Sequence, residues 1–482
     1  MKNSKKRKRK LPPFIKFMLV FINILTIVFL IMTFLLKVIP FKYYIIILIV
    51  SLLFTYVASL LLIKKNKKKR IVGLIMSLVI IITFGIGIFY EAKTNNFLEV
   101  ITSNNKAKIN YVVVVKKDSN YNNVNEIKQM GVLQNRDDNY NKALEKINKD
   151  VGVVKNEIKD NFTLYDNLIE NKIDSFLIEE AQHKILEENY EEYANNSRIL
   201  YTFEIEYEEK DITKGTDITK NPFILYISGI DTYGSINVNS RSDVNMIVVV
   251  NPNTHKIALV DIPRDYYVNV YQKDGLKDKL THAGNSGVEA SVKTVENLLG
   301  IDINYYIKFN FTSVLKIVDK IGPIRVYSDE TFRSGIYDPG TTEEYQYYKG
   351  WNTLNAKQTL SFARERHSFN DGDRVRGKHQ QAIIEAVIDK IISPSIIVNY
   401  SSLLDALSET FTTNLEDDNI RKMINKQINE NIKWEIEKLV LNGTGSLEYT
   451  YSYPKQGSYV MVPDENSMNE GKALINKIIN NE

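Results

Sequence analysis

FILYISGIDTYGSINVNSRSDVNMIVVVNPNTHKIALVDIPRD, residues Phe223–Asp265, is the stretch that decides the fold. Phe223–Ile230 is a continuous apolar run of the kind a strand buried on both faces requires. Asn245–Val250 and Lys256–Ile262 read as two more strands, joined by the turn Asn251-Pro252-Asn253-Thr254. Downstream the period changes. Ser286–Leu299 is helical, with Val288, Val292, Val295 and Leu299 on one face and Gly300 as its stop. Tyr305–Phe311 is a strand, and Thr312–Ile321 a helix capped by Thr312 and ended by Gly322-Pro323. Arg376–Ile392 is a long amphipathic helix closed before Pro394. Alternating elements of this kind bury themselves in layers, so residues 222–395 form an α/β/α domain with a mixed central sheet, of ordinary single-domain size.

Outward from that domain the character of the chain changes twice. Residues 396–482 read as a C-terminal extension with a helix near Asn419–Ile432, a strand-rich piece through Met461 and a last helix. Residues 106–221 read as a small α/β accessory domain and linker. Tyr111–Val115 and Arg198–Tyr207 are strand-like, Glu179–Tyr193 is an acidic, solvated stretch, and Asp211–Asn221 repeats Asp-Ile-Thr as a connector. Residues 91–105 are expected to be a linker.

Residues 1–90 are different in kind. Phe17–Leu36, Tyr43–Ile63 and Ile71–Tyr90 each lack a charged residue, and each has the roughly 20 residues that a helix needs to cross about 30 Å of hydrocarbon. Of the 482-residue chain's net charge of +4, seven basic residues fall in Lys2–Lys10 and six in Lys64–Arg70; without them the remainder carries −9. Such clusters raise nucleic-acid binding as an idea. Their placement before the first span and between the second and third is what membrane insertion requires, so they are topology determinants and no nucleic-acid partner is expected. The N-terminus is then cytoplasmic, the protein multi-pass in the cell membrane, and everything after Tyr90 on the outer face. The chain has no cysteine, which excludes disulfide frameworks, cysteine–zinc sites and thiol nucleophiles. Its five histidines stand in no metalloprotease spacing.

The polar residues of the 222–395 domain gather at element ends, where ligands bind in open α/β sheets. Asp231 follows the first strand, Arg241-Ser242-Asp243 precedes the second, and Pro263-Arg264-Asp265 ends the third. Asp278-Lys279 sits in the next loop, Arg364 and Arg366 lie two apart, and Arg376 and Gln380 share one face of a helix. If Phe362–Arg366 is extended, its two arginines point the same way. Guanidinium groups hold phosphate oxygens bidentately and stay charged. Arginines converging in this way repel one another unless an anion joins them, and Asp231 and Asp243 make sense beside them if magnesium bridges the carboxylates to a pyrophosphate. For any one of these arginines the plainer reading is a surface ion pair. No glycine-rich phosphate loop and no Gly-x-Ser-x-Gly elbow occurs. Tyr345, Tyr347, Tyr348 and Trp351 are better read as rim packing than as a sugar platform. His379 is a general-base candidate against the plainer reading of a helix-surface residue. The inward faces of Val288–Leu299 and Ile383–Ile391 are candidates for a prenyl groove, with core packing as the alternative.

Together these segments carry a resemblance. Ile227-Ser228-Gly229-Ile230-Asp231, Ser240-Arg241-Ser242-Asp243, Pro263-Arg264-Asp265, Asp278-Lys279-Leu280-Thr281-His282-Ala283-Gly284, Val295–Tyr306, Arg364-Glu365-Arg366 and Arg376-Gly377-Lys378-His379-Gln380 occur in order. The chain resembles the LytR-CpsA-Psr family, and within it the streptococcal-type capsule members with several spans and an accessory domain. The resemblance implies a phosphotransferase on the extracellular face of a Gram-positive bacterium. Its substrates would be a polyprenyl-pyrophosphate-linked glycan (capsule, teichoic acid or similar) and a peptidoglycan acceptor, its by-product polyprenyl phosphate, and its cofactor magnesium. It implies that Asp231 and Asp243 are associated with the metal. Arg264, Lys279, Arg364, Arg366, Arg376 and Gln380 match pyrophosphate contacts, Arg241 matches the arginine of the Arg-Ser-Asp motif, and Asp373 a family acid before the last arginine. Three positions depart from the pattern. Thr232-Tyr233-Gly234 stands where an arginine often follows the first Asp, and Val375 where the subgroup often has an acid. Asp261 adds a carboxylate three residues before Arg264 that is expected to compete for it. Two rivals share the same residues: a membrane regulator that binds lipid-linked glycans, and a lipid-pyrophosphate hydrolase.

Overall fold

The structure is a computed structural model that describes residues 11–102, 106–134, 136–150, 154–230, 236–271, 273, 276–335, 343–392, 404, 407–408 and 410–481. The chain divides into two compact units. The first gathers the N-terminal hundred residues with Asp217–Lys220 and Glu416–Lys433; the second holds the rest.

The first unit contains α1 (Pro13–Leu36), α2 (Phe41–Ile63) and α3 (Lys67–Thr102), each long and apolar enough to cross a membrane. Their outward faces expose Phe, Ile and Leu, while the inward faces bury small polar residues, as helices packed in lipid do. Thr26 and Thr55 share a hydrogen bond of 2.9 Å between α1 and α2. At Gly73 a Cβ would lie 2.8 Å from the backbone nitrogen of Leu62, so only glycine lets α3 approach α2 this closely. The α3 helix also corrects the expected linker at 91–105: no proline or glycine interrupts 91–102, and Leu98 and Ile101 are buried, so the helix runs on to Thr102.

The accessory domain is a five-stranded sheet of β1 (Lys106–Lys116), β2 (Gln129–Leu133), β3 (Val154–Ile158), β4 (Ser175–Glu179) and β5 (Ser197–Glu208), in the order β3-β2-β4-β1-β5. Helices α4 (Asp138–Asp150), α5 (Asn161–Ile169), α6 (Glu180–Asn189) and α7 (Glu191–Asn196) complete it. Alternate residues of β1 feed two cores, Tyr111 and Val113 into one, Val112 and Val114 into the other. That is why Tyr111–Val115 is apolar without a break.

In the domain that follows, β6 (Phe223–Ile230), β7 (Ser242–Asn251) and β8 (Lys256–Asp261) form an antiparallel meander. A short hairpin, β9 (Tyr267–Asn269) and β10 (Lys277–Lys279), follows, then α8 (Val288–Leu299), β11 (Tyr305–Asn310), α9 (Phe311–Ile321) and β12 (Ile324–Ser328). After β13 (Phe332–Arg333), β14 (Gln346–Tyr347) and β15 (Gly350–Leu354) come α10 (Ala356–Arg364) and α11 (Gly372–Ile392). The remainder supplies β16 (Phe411–Thr413), α12 (Asp417–Glu430), β17 (Glu435–Val440), the hairpin β18 (Gly443–Glu448) and β19 (Ser458–Pro463), and α13 (Glu465–Asn480). The central sheet runs β16-β11-β6-β7-β8-β17 and is mixed, with β11 parallel to β6 and β17 parallel to β8. Val292, Val295 and Leu299 of α8 pack with Tyr226, Ile247, Val249 and Val260 of the sheet and Ile475 and Ile478 of α13. The α8 face is thus core, as the plainer reading had it. Ile383 of α11 likewise packs with Val318, Ile321 and Phe362.

Four expectations need correction. Residues 396–482 are not an extension to the 222–395 domain: β16 and β17 are the two edges of its central sheet, and α13 closes one face of its core. The cap of α9 is Asn310, whose side chain accepts from the Ser313 N–H, rather than Thr312. Phe362–Arg364 is the last turn of helix α10, not extended chain. Asp278 and Lys279 belong to strand β10 rather than a loop.

Candidate active site

The site is built on Asp243, the second residue of β7, and on the turn that leaves β8. Pro263 accepts from the Tyr266 N–H, closing the turn, and the Thr281 N–H donates to the Arg264 carbonyl (2.9 Å), so residues 264–266 and 280–281 hold one another in place. Arg264 Nη1 then lies 2.6 Å from Asp243 Oδ2, while the Thr281 hydroxyl donates to Asp243 Oδ1 at 3.0 Å. Asp265 sits between cations, 3.5 Å from Arg264 Nε and 3.4 Å from Lys279 Nζ. Burial by itself would raise the pKa of Asp243. Arg264, Arg376 and Arg241 overcome that and hold the carboxyl below its ordinary range. Arg264 therefore touches this carboxylate directly, and Arg376 and Arg241, from two other motifs, add their fields to it.

Arg241 also pairs with the accessory domain: its two terminal nitrogens meet the two carboxylate oxygens of Glu188 at 2.7 and 3.2 Å. Arg376 is buried one turn into α11, which begins at Gly372 rather than at Arg376 itself. Gln380, one turn on, reaches the Ala363 carbonyl at 3.4 Å and ties α11 to the last turn of α10. Arg364 ends that helix, where its charge complements the macrodipole. Between Arg364 and Arg366 the fully buried Glu365 accepts from the Gly335 N–H (2.6 Å) and the Ser368 N–H (3.0 Å), anchoring the segment so that the flanking arginines remain partly exposed. Asp231 and the side chain of Asp373 lie outside the described residues.

Asp261 does not compete for Arg264 as expected. Arg264 pairs with Asp243 and Asp265, and Asp261 is buried against α11 at Gly377, where a Cβ would collide with its Oδ2. His379 is not a helix-surface residue. It stacks on Phe362 (3.9 Å between centroids) and Phe332 (5.1 Å), its Nδ1 faces the Phe362 carbonyl at 3.1 Å, and burial pushes its pKa down to about 4. It is a neutral core residue beneath the site. The tyrosine tract divides: Tyr347 is buried and donates to the Gln358 carbonyl, whereas Tyr348 and Trp351 are exposed.

Sequence reasoning missed four contributors. Asp265 and Thr281 stand inside the quoted motifs and were legible as neighbours of Arg264 and Lys279. Glu365 was legible only as the residue between two arginines. Glu188 comes from an acidic run in another domain, and nothing local marks it. Arg241, Arg264, Lys279 and Arg376 thus stand against the carboxylates of Asp243, Asp265 and Glu188, while Arg364 and Arg366 flank the buried Glu365 in sequence. That excess is suited to an oxyanion. Among the described residues no group of three or more His, Asp or Glu could hold a metal by itself.

A profile of the LytR_cpsA_psr family matches residues 190–475, more than half of the chain. The polyisoprenyl-teichoic acid–peptidoglycan teichoic acid transferase TagU of Enterococcus faecalis is 31% identical over 254 residues, covering 52% of this chain and 80% of the relative. The protein of the same name from Bacillus cereus is 32% identical over 239 residues, 48% of this chain and 75% of its own. The crystal structure of Bacillus subtilis TagV is 25% identical, covering 54% of this chain and 98% of that one with a TM-score of 0.44. With the matched span running from the end of the accessory domain through the last core helix, the chain belongs to the LytR-CpsA-Psr family.

Proposed function

We propose that the protein is a membrane-anchored phosphotransferase that moves a glycopolymer from a polyprenyl-pyrophosphate carrier to peptidoglycan. The observation that carries this reading is the cluster of Arg264, Lys279, Asp243 and Asp265, with Arg376 and Arg241 adding positive field at Asp243, in a family whose named relatives are transferases of teichoic acid to peptidoglycan. The arginines and Lys279 would bind the pyrophosphate oxygens. A hydroxyl of the acceptor sugar attacks the sugar-linked phosphorus, a phosphodiester forms, and the bond to the bridging oxygen breaks. Its electron pair leaves with polyprenyl phosphate, and the hydroxyl proton passes to a base or to solvent. Preorganised cations stabilise the charge that grows on the equatorial and leaving oxygens, which is where phosphoryl transfer gains most of its rate. A wall glycopolymer of the teichoic acid or capsule type is the cargo on this reading.

The donor set at Asp243 fits magnesium: its carboxylate is held ionised, and a hydroxyl, from Thr281, stands beside it, hard oxygen chemistry of the kind that ion takes. Asp243 with Asp231 would hold it, and when bound it would supply neutralising charge to the pyrophosphate. An outward orientation is supported within the first unit. Arg421 of α12 donates to the Leu36 carbonyl at the end of α1 (2.8 Å), and Lys42 to the Asn429 carbonyl (2.9 Å). The α1–α2 loop and a helix lying between β16 and β17 in the chain would therefore share one side of the membrane, opposite the basic clusters.

The test is incubation of the purified protein with labelled lipid-pyrophosphate-linked glycan, magnesium and peptidoglycan fragments. Label becoming covalent on peptidoglycan, and lost with Arg364→Ala or chelator, is the expected result. Free labelled glycan with acceptor present would make the protein a hydrolase. Tight binding without turnover would make it a sensor.

A further inference from the structure

A cleft of 1460 Å³ runs between the accessory sheet and the β9–β10 and β18–β19 hairpins of the catalytic domain. Enclosed sites for single small molecules hold roughly 300–1,000 Å³, so this one has room for an extended chain. Among the described residues six basic and seven acidic side chains line it, a balance that gives a polyanion no advantage and a hydroxyl-rich molecule many partners. Asn285 on its floor is 2% exposed, and neither its amide oxygen nor its amide nitrogen has a partner among the described residues. A buried amide left in that condition is costly, which points to a ligand that completes it. At the rim Tyr449 and Tyr451 are 65% and 39% exposed. The Lys273 ammonium stands 4.9 Å over the Tyr451 ring, and the Tyr267 hydroxyl donates to the Tyr449 carbonyl (2.8 Å), so the rim is fixed rather than loose. Tyrosine faces pack against the C–H faces of sugar rings while charged and amide groups bond their hydroxyls.

The cleft adjoins the arginine site. Lys277 lines it, and Lys279 lies two residues along the same strand, about 7 Å away. Most of the accessory wall, from Ile109 to Leu186, precedes the family match that begins at residue 190, and only Glu206, Tyr207 and Glu208 of β5 fall within it. We propose that this cleft is a glycan subsite, holding uncharged sugar rings of the donor polymer beyond the pyrophosphate and so selecting which polymer is transferred. Glu179 suits that role, since burial raises its carboxyl to about 7 and lets it both donate and accept near neutral pH. The identity of the glycan as donor rests on the transferase reading; the binding itself does not.

The experiment is saturation-transfer NMR on the full chain in detergent with maltohexaose and the N-acetylglucosamine hexamer, and with poly(glycerol phosphate) as the anionic probe. At least one hexasaccharide is expected to bind. The exposed pair Tyr449→Ala/Tyr451→Ala should weaken it about tenfold, whereas Tyr348→Ala leaves it unchanged. Binding of neither hexasaccharide, binding indifferent to Tyr449 and Tyr451, or displacement of the hexasaccharide by poly(glycerol phosphate) would each overturn the proposal. Sugar binding in a protein that transfers nothing removes only the transferase reading; transfer without sugar binding removes only the cleft.

Discussion

Two arginine–aspartate pairs in this molecule close to the same 2.6 Å and do different work. Arg421 meets Asp417 through two bonds of 2.6 and 3.0 Å, and its remaining nitrogen caps the last turn of α1 at Leu36. Arg264 meets Asp243 at 2.6 Å. The first is one cation beside one anion, with the leftover donor spent on carbonyls that a helix end leaves unpaired. The second is one anion touched by Arg264 and lying in the field of Arg376 and Arg241 as well. Pair geometry therefore says little about purpose; the surplus of like charge around a pair says much, because a fold gains nothing from crowding cations unless an anion is to join them.

The largest predicted effect separates the two. Arg264→Ala should lower transfer by about 10²–10³ or more while leaving thermal stability nearly intact, since Asp243 keeps two other arginines. Arg421→Ala should do the reverse, costing about 1–3 kcal/mol in denaturation of the detergent-solubilised chain with turnover per folded molecule unchanged. Loss of activity and stability together in both variants would erase the distinction. Acid sharpens it further. His379 is held neutral, its folded value of about 4 lying below the ordinary 6.5, so its contribution is complete above pH 6.5 and is lost as pH falls toward 4. Unfolding at pH 4.5 should therefore be easier than at pH 7 by a margin that approaches about 3 kcal/mol at most, and His379→Gln should flatten that dependence. An unchanged pH dependence in the variant would contradict the buried placement. The smallest effect belongs to Thr281→Val, which removes one hydroxyl from Asp243 and should reduce turnover about five- to tenfold without moving the unfolding midpoint by more than a few degrees.

How much of this was legible in the sequence depends on whether a residue's neighbours are local. β6, β7 and β8 could be read because burial on both faces forces unbroken apolar runs, and α8 because valines at helical spacing face one core. The edge strands could not be assigned to that sheet. β17 carries Glu435, Glu437 and Lys438 among its six residues, and only its register with Lys256–Asp261 makes it a strand of the central sheet. The helical state of 91–102 was hidden by the change to polar composition after Tyr90, although no breaker interrupts it. In the site, Arg264, Asp243 and Arg376 were readable as guanidinium and carboxylate groups at element ends. Glu188, which pairs with Arg241 from another domain, was not, because an acidic helix face looks the same whether it meets water or an arginine.

On the transferase reading, the arginine surplus around Asp243 serves a pyrophosphate whose glycan-bearing phosphoryl group passes to peptidoglycan while polyprenyl phosphate leaves. A single-turnover comparison of wild type, Arg264→Ala and Arg421→Ala, following labelled glycan from its polyprenyl-pyrophosphate carrier onto peptidoglycan fragments, tests it most directly. Covalent label on peptidoglycan is expected with wild type and Arg421→Ala, and almost none with Arg264→Ala. Near-normal transfer by Arg264→Ala, or label released as free glycan by the wild type, would contradict it.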